Sequence, residues 1–201
     1  MSGELIVPPL EVKGEVTMGS CSQCRCLHPT VNKLPVFPYA EDGINLLLLD
    51  AVSEEVCKEC GEVSHSIANP KGLIAAAAVY RSTIDVKLNS AEIKFMRKAM
   101  GKSSKDLAAA LGVTVETMSR WENNKATIGQ EFEKLLRLNV IVELKDRAPL
   151  IVVSPESILQ MKINPMRPQE KITLCLQLIK KVMKEEGESS LEDVYMKAKA
   201  A

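Results

Sequence analysis

The first third of the chain has a pattern of apolar and polar positions that excludes long helices. Pro29, Pro35 and Pro38 break any continuous helix between residues 21 and 43. The mostly apolar run from Ile44 to Leu49 instead predicts a strand that leads towards Cys57. We therefore expect residues 1–68 to form a small β-rich domain.

From residue 69 onward, apolar positions recur at helical spacing. Asn69 followed by Pro70 is typical of a helix start, and a linker helix is predicted within residues 69–89. Further helices are predicted within residues 90–145. Residues 146–201 are predicted to form a helical extension, whose longest helix has one apolar side formed by Ile172, Cys175, Leu176, Ile179, Val182 and Met183. The expected fold is mainly α, with the small β-rich domain at one end.

Composition agrees with this prediction and narrows the class of protein. Hydrophobic residues make up 46% of the 201 positions but aromatic residues only 3%, which suits packed helices. The longest apolar run is far shorter than the roughly 18 residues of a membrane span, and no signal peptide is recognised, so we expect a cytoplasmic protein with no membrane partner. The sequence contains no histidine–glutamate metal pair, phosphate-binding glycine loop or serine–histidine–aspartate grouping, so we do not expect an enzyme.

Four cysteines stand in two CxxC pairs, Cys21 with Cys24 and Cys57 with Cys60. Each such turn places two thiolates on one edge of a tetrahedron, so two turns complete the four-thiolate set that Zn²⁺ prefers. Gly61 suits the tight turn after the second pair. We predict one structural Zn²⁺ per chain, because four thiolates leave no open position for catalysis, and the β-rich domain then becomes a zinc ribbon.

Other residues near these pairs keep alternatives open. Cys26, His28 and His65 lie close enough in sequence to replace one of the four ligands. A redox role for a CxxC pair needs a strand-to-helix context that neither pair has. Cys175 is either a core residue, which we favour, or a redox-sensitive thiol.

Residues 103–122 carry the order of a helix-turn-helix unit. Leu107, Ala108 and Leu111 give the first helix an apolar face, Gly112 makes the turn, and the second helix runs from 113 to 122. Within the second helix, the predicted core residues are Val115, Met118 and Trp121. The pattern predicts a DNA-reading module.

Helical spacing assigns the residues that would face DNA. Thr114 can cap the second helix, which directs Glu116, Thr117 and Arg120 towards a major groove. Arg120 is the best candidate to read a base, because its guanidinium can donate two hydrogen bonds to guanine, whereas Glu116 is as well explained as a solvated residue. Positions that usually contact phosphates hold Ser104, Lys105, Lys125 and Thr127.

Charge is distributed unevenly although the formal net charge is zero. Residues 1–89 have a net charge of −4, residues 90–129 of +3 and residues 130–201 of +1. A zinc ion held by four thiolates adds two negative charges to the first segment. DNA affinity is therefore expected in the middle of the chain, and a basic partner at the zinc ribbon.

The chain resembles the MqsA antitoxins and the wider set of YgiT-type zinc-finger proteins with a Cro/CI-type helix-turn-helix domain in four motifs, which are in order CSQC, CKECG, AEIKFMRKAMG and LAAALGVTVETMSRWENNK. The resemblance covers residues 21 to about 140. It implies that the four cysteines bind zinc, that the zinc domain faces a protein toxin, and that a dimer binds a palindromic operator through Arg120. Glu116 stands where MqsA-like helices use an asparagine, so the operator is expected to differ.

Together these observations predict a sequence-specific transcriptional regulator with a structural zinc site, which also acts as the antitoxin of a toxin–antitoxin pair. It would bind double-stranded DNA as a homodimer through the amphipathic segments 132–144 and 172–183, because one helix-turn-helix makes too few contacts for tight binding. The alternative is a zinc-stabilised protein-interaction module that has little affinity for DNA.

Overall fold

The computed structural model describes residues 15–16, 20–27, 30–41, 43–165, 172–185 and 188–198. These ranges form six strands and six helices, in the order β1 (Glu15–Val16), β2 (Thr30–Glu41), β3 (Ile44–Val56), β4 (Val63–Ile67), α1 (Pro70–Ser82), α2 (Ser90–Ala99), α3 (Ser104–Leu111), α4 (Val115–Glu122), α5 (Gln130–Leu144), α6 (Pro155–Leu159), β5 (Thr173–Glu185) and β6 (Glu188–Lys197). None of the helices in these ranges has the length and apolar character to cross a membrane.

The strands lie in one mixed sheet with β3 at its centre. On one side of β3, β2 pairs antiparallel and is followed by β1. The other side is shared by two strands. Residues 45–49 of β3 pair in parallel with β5, whereas residues 52–56 pair antiparallel with β4. β6 pairs antiparallel with β5 and forms the far edge.

A β-bulge interrupts the β2–β3 ladder at the point where the other edge of β3 changes partner. Leu34 pairs with Val52 and Val36 with Leu49, so Pro35 faces two residues of β3. The first of the two, Asp50, has a φ of 56°, which is the left-handed region. Proline suits this irregular place because it has no backbone N–H to offer a regular ladder.

The predicted mainly α fold is wrong, and the helical extension over 146–201 is wrong for the same reason. Apart from the short helix α6, this segment contributes the antiparallel hairpin of β5 and β6. Leu174, Cys175 and Leu176 are all buried, so β5 is covered on both faces at this point. A strand buried on both faces has a continuous apolar run, and such a run also satisfies helical spacing.

A continuous hydrophobic core joins the sheet to the helices. It includes Leu48 of β3, the alanines at 75–78 of α1, Met96 of α2, Leu136 of α5 and Leu176 of β5. α1 lies between the hairpin β5–β6 and helix α5, and contacts both. The boundaries 1–68, 69–89 and 90–145 stay predictions, but the C-terminal hairpin completes the sheet of the first segment.

Two buried ion pairs tie α1, α2 and α5 to the connecting segment 83–88. Arg81 binds both carboxylate oxygens of Glu92, at 2.6 and 3.0 Å, and Arg137 binds Glu133 at 2.7 Å. Both guanidinium groups also donate to the backbone carbonyls of 84 and 86. All four charged side chains are buried. The Arg81–Glu92 pair joins α1 to α2, and Arg137 joins α5 to the carbonyl of Ser82 at the end of α1.

Candidate metal centre and exposed face of α4

Two backbone turns of the same geometry carry the paired cysteines. In the first, the N–H of Arg25 donates to the carbonyl of Cys21 at 3.0 Å, and in the second the N–H of Gly61 donates to the carbonyl of Cys57 at 3.0 Å. Each turn is closed by a further bond from the N–H of its first cysteine, to the carbonyl of Cys26 or of Glu62, both at 2.9 Å. The two segments are therefore a matched pair of knuckles.

The residue after each second cysteine adopts a left-handed backbone conformation. Gly61 has a φ of 72°, as glycine allows at little cost, but Arg25 has a φ of 61°. The sequence analysis noted the glycine and did not consider the arginine. The equal spacing of CSQCR and CKECG is the signal that identifies Arg25 as the counterpart of Gly61.

The two knuckles bring the four predicted cysteines together. One sulfur from each of Cys21, Cys24, Cys57 and Cys60 lies within 4.8 Å of the others. Sulfurs from opposite knuckles lie 3.6 Å apart for Cys21 and Cys60 and 3.5 Å apart for Cys24 and Cys57. This donor set could hold a metal ion, and four sulfurs at such spacing suit tetrahedral Zn²⁺ without a free position.

A fifth thiol touches this cluster. The sulfur of Cys26 lies 2.8 Å from that of Cys57, although Cys26 is not one of the four clustered residues. Cys57 forms hydrogen bonds with the Cys26 thiol and with the backbone N–H of Cys60, and these lower the pKa of the Cys57 thiol to about 6. His65 lies on β4, with Nε2 3.5 Å from Glu54 and its ring against Phe37, whereas His28 falls outside the described residues.

Helices α3 and α4 form at the predicted places, with a turn at Gly112, whose φ is 69°. The Thr114 hydroxyl accepts a hydrogen bond from the N–H of Thr117 at 3.1 Å and so caps α4. Met118 and Trp121 are buried, whereas Val115, predicted to be in the core, is exposed. The solvent face of α4 presents Glu116 and Arg120, with Thr117 partly buried between them and joined to the cap through its hydroxyl.

The remaining predicted DNA contacts lie around these two helices. Lys105 is exposed on α3, and Lys125 and Thr127 are exposed in the segment after α4. The Ser104 hydroxyl faces the Glu122 carboxylate at 3.5 Å. Glu122 also binds Arg97 through two bonds of 2.6 and 3.2 Å, so the described contacts of its carboxylate lie within the protein.

The outer face of α5 carries a row of apolar side chains that are exposed to solvent. Phe132, Leu135 and Val142 are exposed, Val142 to 61%. Phe132 also contacts Trp121 of α4, with ring centroids 5.6 Å apart, so the row begins beside α4. The second predicted dimer segment, 172–183, is not an exposed helix, since it belongs to β5.

Comparison with known proteins identifies a family for more than half of the chain. A family model described as the antitoxin component of a bacterial toxin–antitoxin system, MqsA, matches residues 19–147. The match includes both cysteine knuckles and helices α1 to α5, and ends before the hairpin of β5 and β6. No curated protein and no solved structure matches the chain.

Proposed function

The chain belongs to the MqsA antitoxin family, and we propose on that premise that it is a zinc-stabilised transcriptional regulator that binds a palindromic DNA operator as a homodimer. In the same proposal it neutralises a protein toxin and represses its own operon. The observation that carries the DNA-binding part is the two-sided character of α4. This helix buries Met118 and Trp121 and leaves Arg120 and Glu116 in solvent.

In the proposed complex, α4 enters the major groove and α3 crosses the DNA backbone. The exposed guanidinium of Arg120 would donate two hydrogen bonds to a guanine. Lys105, Lys125 and the Ser104 hydroxyl would contact phosphates, which position the helix without reading sequence. Thr114 acts mainly as the helix cap, so it contributes through the position of α4, and Thr117 is held against it.

The proposed dimer forms through the outer face of α5. Phe132, Leu135 and Val142 offer an apolar row that a second copy of the same helix would cover, since a symmetric dimer uses the same patch on both chains. The contact between Phe132 and Trp121 supports this choice, because it links the dimer face directly to α4 and so fixes the spacing of the two reading helices.

The four cysteines are proposed to hold a single structural Zn²⁺. Cys21 and Cys24 would supply one edge of the tetrahedron and Cys57 and Cys60 the other. When bound, the ion joins the knuckle before β2 to the knuckle between β3 and β4. A toxin is proposed to bind this part of the chain, whose residues 1–89 have a net charge of −4 and would suit a basic surface.

The proposal is tested by selecting bound sequences from random duplex DNA with zinc-loaded protein. Arg120→Ala is compared with Arg147→Ala, an exposed arginine beyond the end of α5. We expect a palindromic motif that Arg147→Ala keeps and Arg120→Ala loses, with a cost of about 1–3 kcal/mol for the lost base contact. No enrichment at moderate salt would refute DNA binding and support the protein-interaction alternative.

A second measurement tests the dimer. Sedimentation at working concentration should give twice the 22.1 kDa of one chain. Val142→Asp should give the monomer, because it would bury a charge in the apolar row. The control Val152→Asp changes a valine that is 89% exposed outside α5 and should leave the dimer intact. A monomeric wild-type protein would contradict the dimer.

A further inference from the structure

The fifth thiol, that of Cys26, lies beside the four-cysteine cluster and is not one of its members. Cys26 follows Cys24 by two residues and its sulfur lies 2.8 Å from that of Cys57, closer than the two other sulfur contacts described between the knuckles. Cys57 is buried, whereas Cys26 is partly exposed. The accessible thiol of Cys26 therefore contacts the buried thiol of Cys57, which is one of the four clustered cysteines.

We propose that Cys26 is an oxidation site through which a hydroperoxide removes the metal ion. In the first step the Cys26 sulfur attacks the peroxide. A sulfur–oxygen bond forms, the oxygen–oxygen bond breaks, and an alcohol or water leaves, so Cys26 becomes a sulfenic acid. In the second step the Cys57 thiolate attacks the Cys26 sulfur, a disulfide forms, and the sulfur–oxygen bond breaks to release hydroxide.

The two thiols together lose two electrons and the peroxide gains them, so the sequence is balanced without another reactant. Its effect on the metal follows from the geometry. Cys57 leaves the ligand set when it becomes part of the disulfide, and three thiolates remain where the ion needs four ligands. The ion should then dissociate, and a dithiol reductant with added Zn²⁺ should restore the site.

Cys175 differs from Cys26 in both properties that the mechanism needs. It is buried on β5, and no sulfur contact to it occurs in the described part of the chain. Cys175→Ala is therefore a matched control for Cys26→Ala.

The inference rests on the zinc site of the proposed function, so zinc content is measured before any oxidant is added. Wild type, Cys26→Ala and Cys175→Ala should each hold one zinc per chain. Hydrogen peroxide is then added, and zinc release is followed with a metallochromic dye while peptide mass spectrometry locates disulfides. We expect a Cys26–Cys57 disulfide, a loss of two mass units, and release at least about tenfold slower in Cys26→Ala, because a held thiol reacts as an intramolecular partner.

The possible results separate the two proposals. Wild-type protein that holds no zinc would refute the zinc site itself. If Cys26→Ala alone fails to hold zinc, Cys26 is a ligand and the oxidation proposal is wrong. Release from Cys26→Ala at the wild-type rate, or a disulfide between Cys21 and Cys60 instead, would also overturn it while leaving the zinc site intact.

Discussion

Arg137 is the residue whose replacement tests the packing of this protein most directly. It donates to the carbonyls of Ser82, Ile84 and Val86 at 3.0, 2.5 and 2.8 Å and binds Glu133 at 2.7 Å, entirely out of solvent. Arg137→Met keeps much of the side-chain volume but removes every one of these bonds. It leaves the Glu133 carboxylate buried with only the N–H of Leu88 as a donor among the described contacts.

Removal of one partner from a buried ion pair costs about 3–5 kcal/mol. For a chain of this size, that corresponds to a fall in Tm of roughly 6–20 °C. We expect urea unfolding, followed by far-UV circular dichroism with zinc in excess, to show this loss. The control Arg147→Met changes an exposed arginine and should stay within about 0.5 kcal/mol of wild type.

A double variant tests the reasoning behind the magnitude. Glu133 Oε2 and Arg137 Nε find no hydrogen-bond partner in the described part of the chain, so the pair already carries a cost of burial. Arg137→Met with Glu133→Leu removes both charges and should be more stable than Arg137→Met alone. A loss below about 1 kcal/mol for Arg137→Met, or a double variant less stable than the single one, would refute the argument.

Three further predictions concern single residues. Arg25→Gly should stabilise the protein by about 0.5–1 kcal/mol, because glycine tolerates the φ of 61° that arginine resists, and thermal unfolding measures this. Ser103→Ala should cost about 1 kcal/mol in urea unfolding, because the Ser103 hydroxyl caps α3 by accepting from the N–H of Asp106. Burial, and then the charge of Asp193, raise the pKa of Tyr195 above its ordinary value near 10, so unfolding releases a proton above that pH. Stability should be unaffected by this group below pH 10 and fall above it by up to about 1.4 kcal/mol per pH unit, and Tyr195→Phe should remove that part of the fall.

The features that sequence predicted well are those that depend on neighbouring residues. Asn69 before Pro70 and Thr114 cap helices where predicted, because a cap joins groups three residues apart. The cysteine pairs cluster as predicted because a CxxC turn fixes two ligands locally.

The prediction from sequence was wrong where contacts with a distant segment determine the conformation. The apolar run after residue 171 is compatible with a helix, and its conformation is determined by the pairing of residues 173–177 with residues 45–49 of β3. Packing of Leu174, Leu176 and Tyr195 into the common core then buries the hairpin. The contact between Cys26 and Cys57 likewise arises only when the two knuckles meet.

Spacing along the chain was enough to predict the cluster of four cysteines, helices within residues 69–145 and the burial of Met118 and Trp121 on α4, because these features depend on neighbouring residues. Contacts between distant segments make the C-terminal segment a hairpin on the sheet and bury Arg81 and Arg137 with their partners. The physical reason is that hydrogen bonds and ion pairs between distant residues form only after the chain has folded, and their free energy then outweighs local preference.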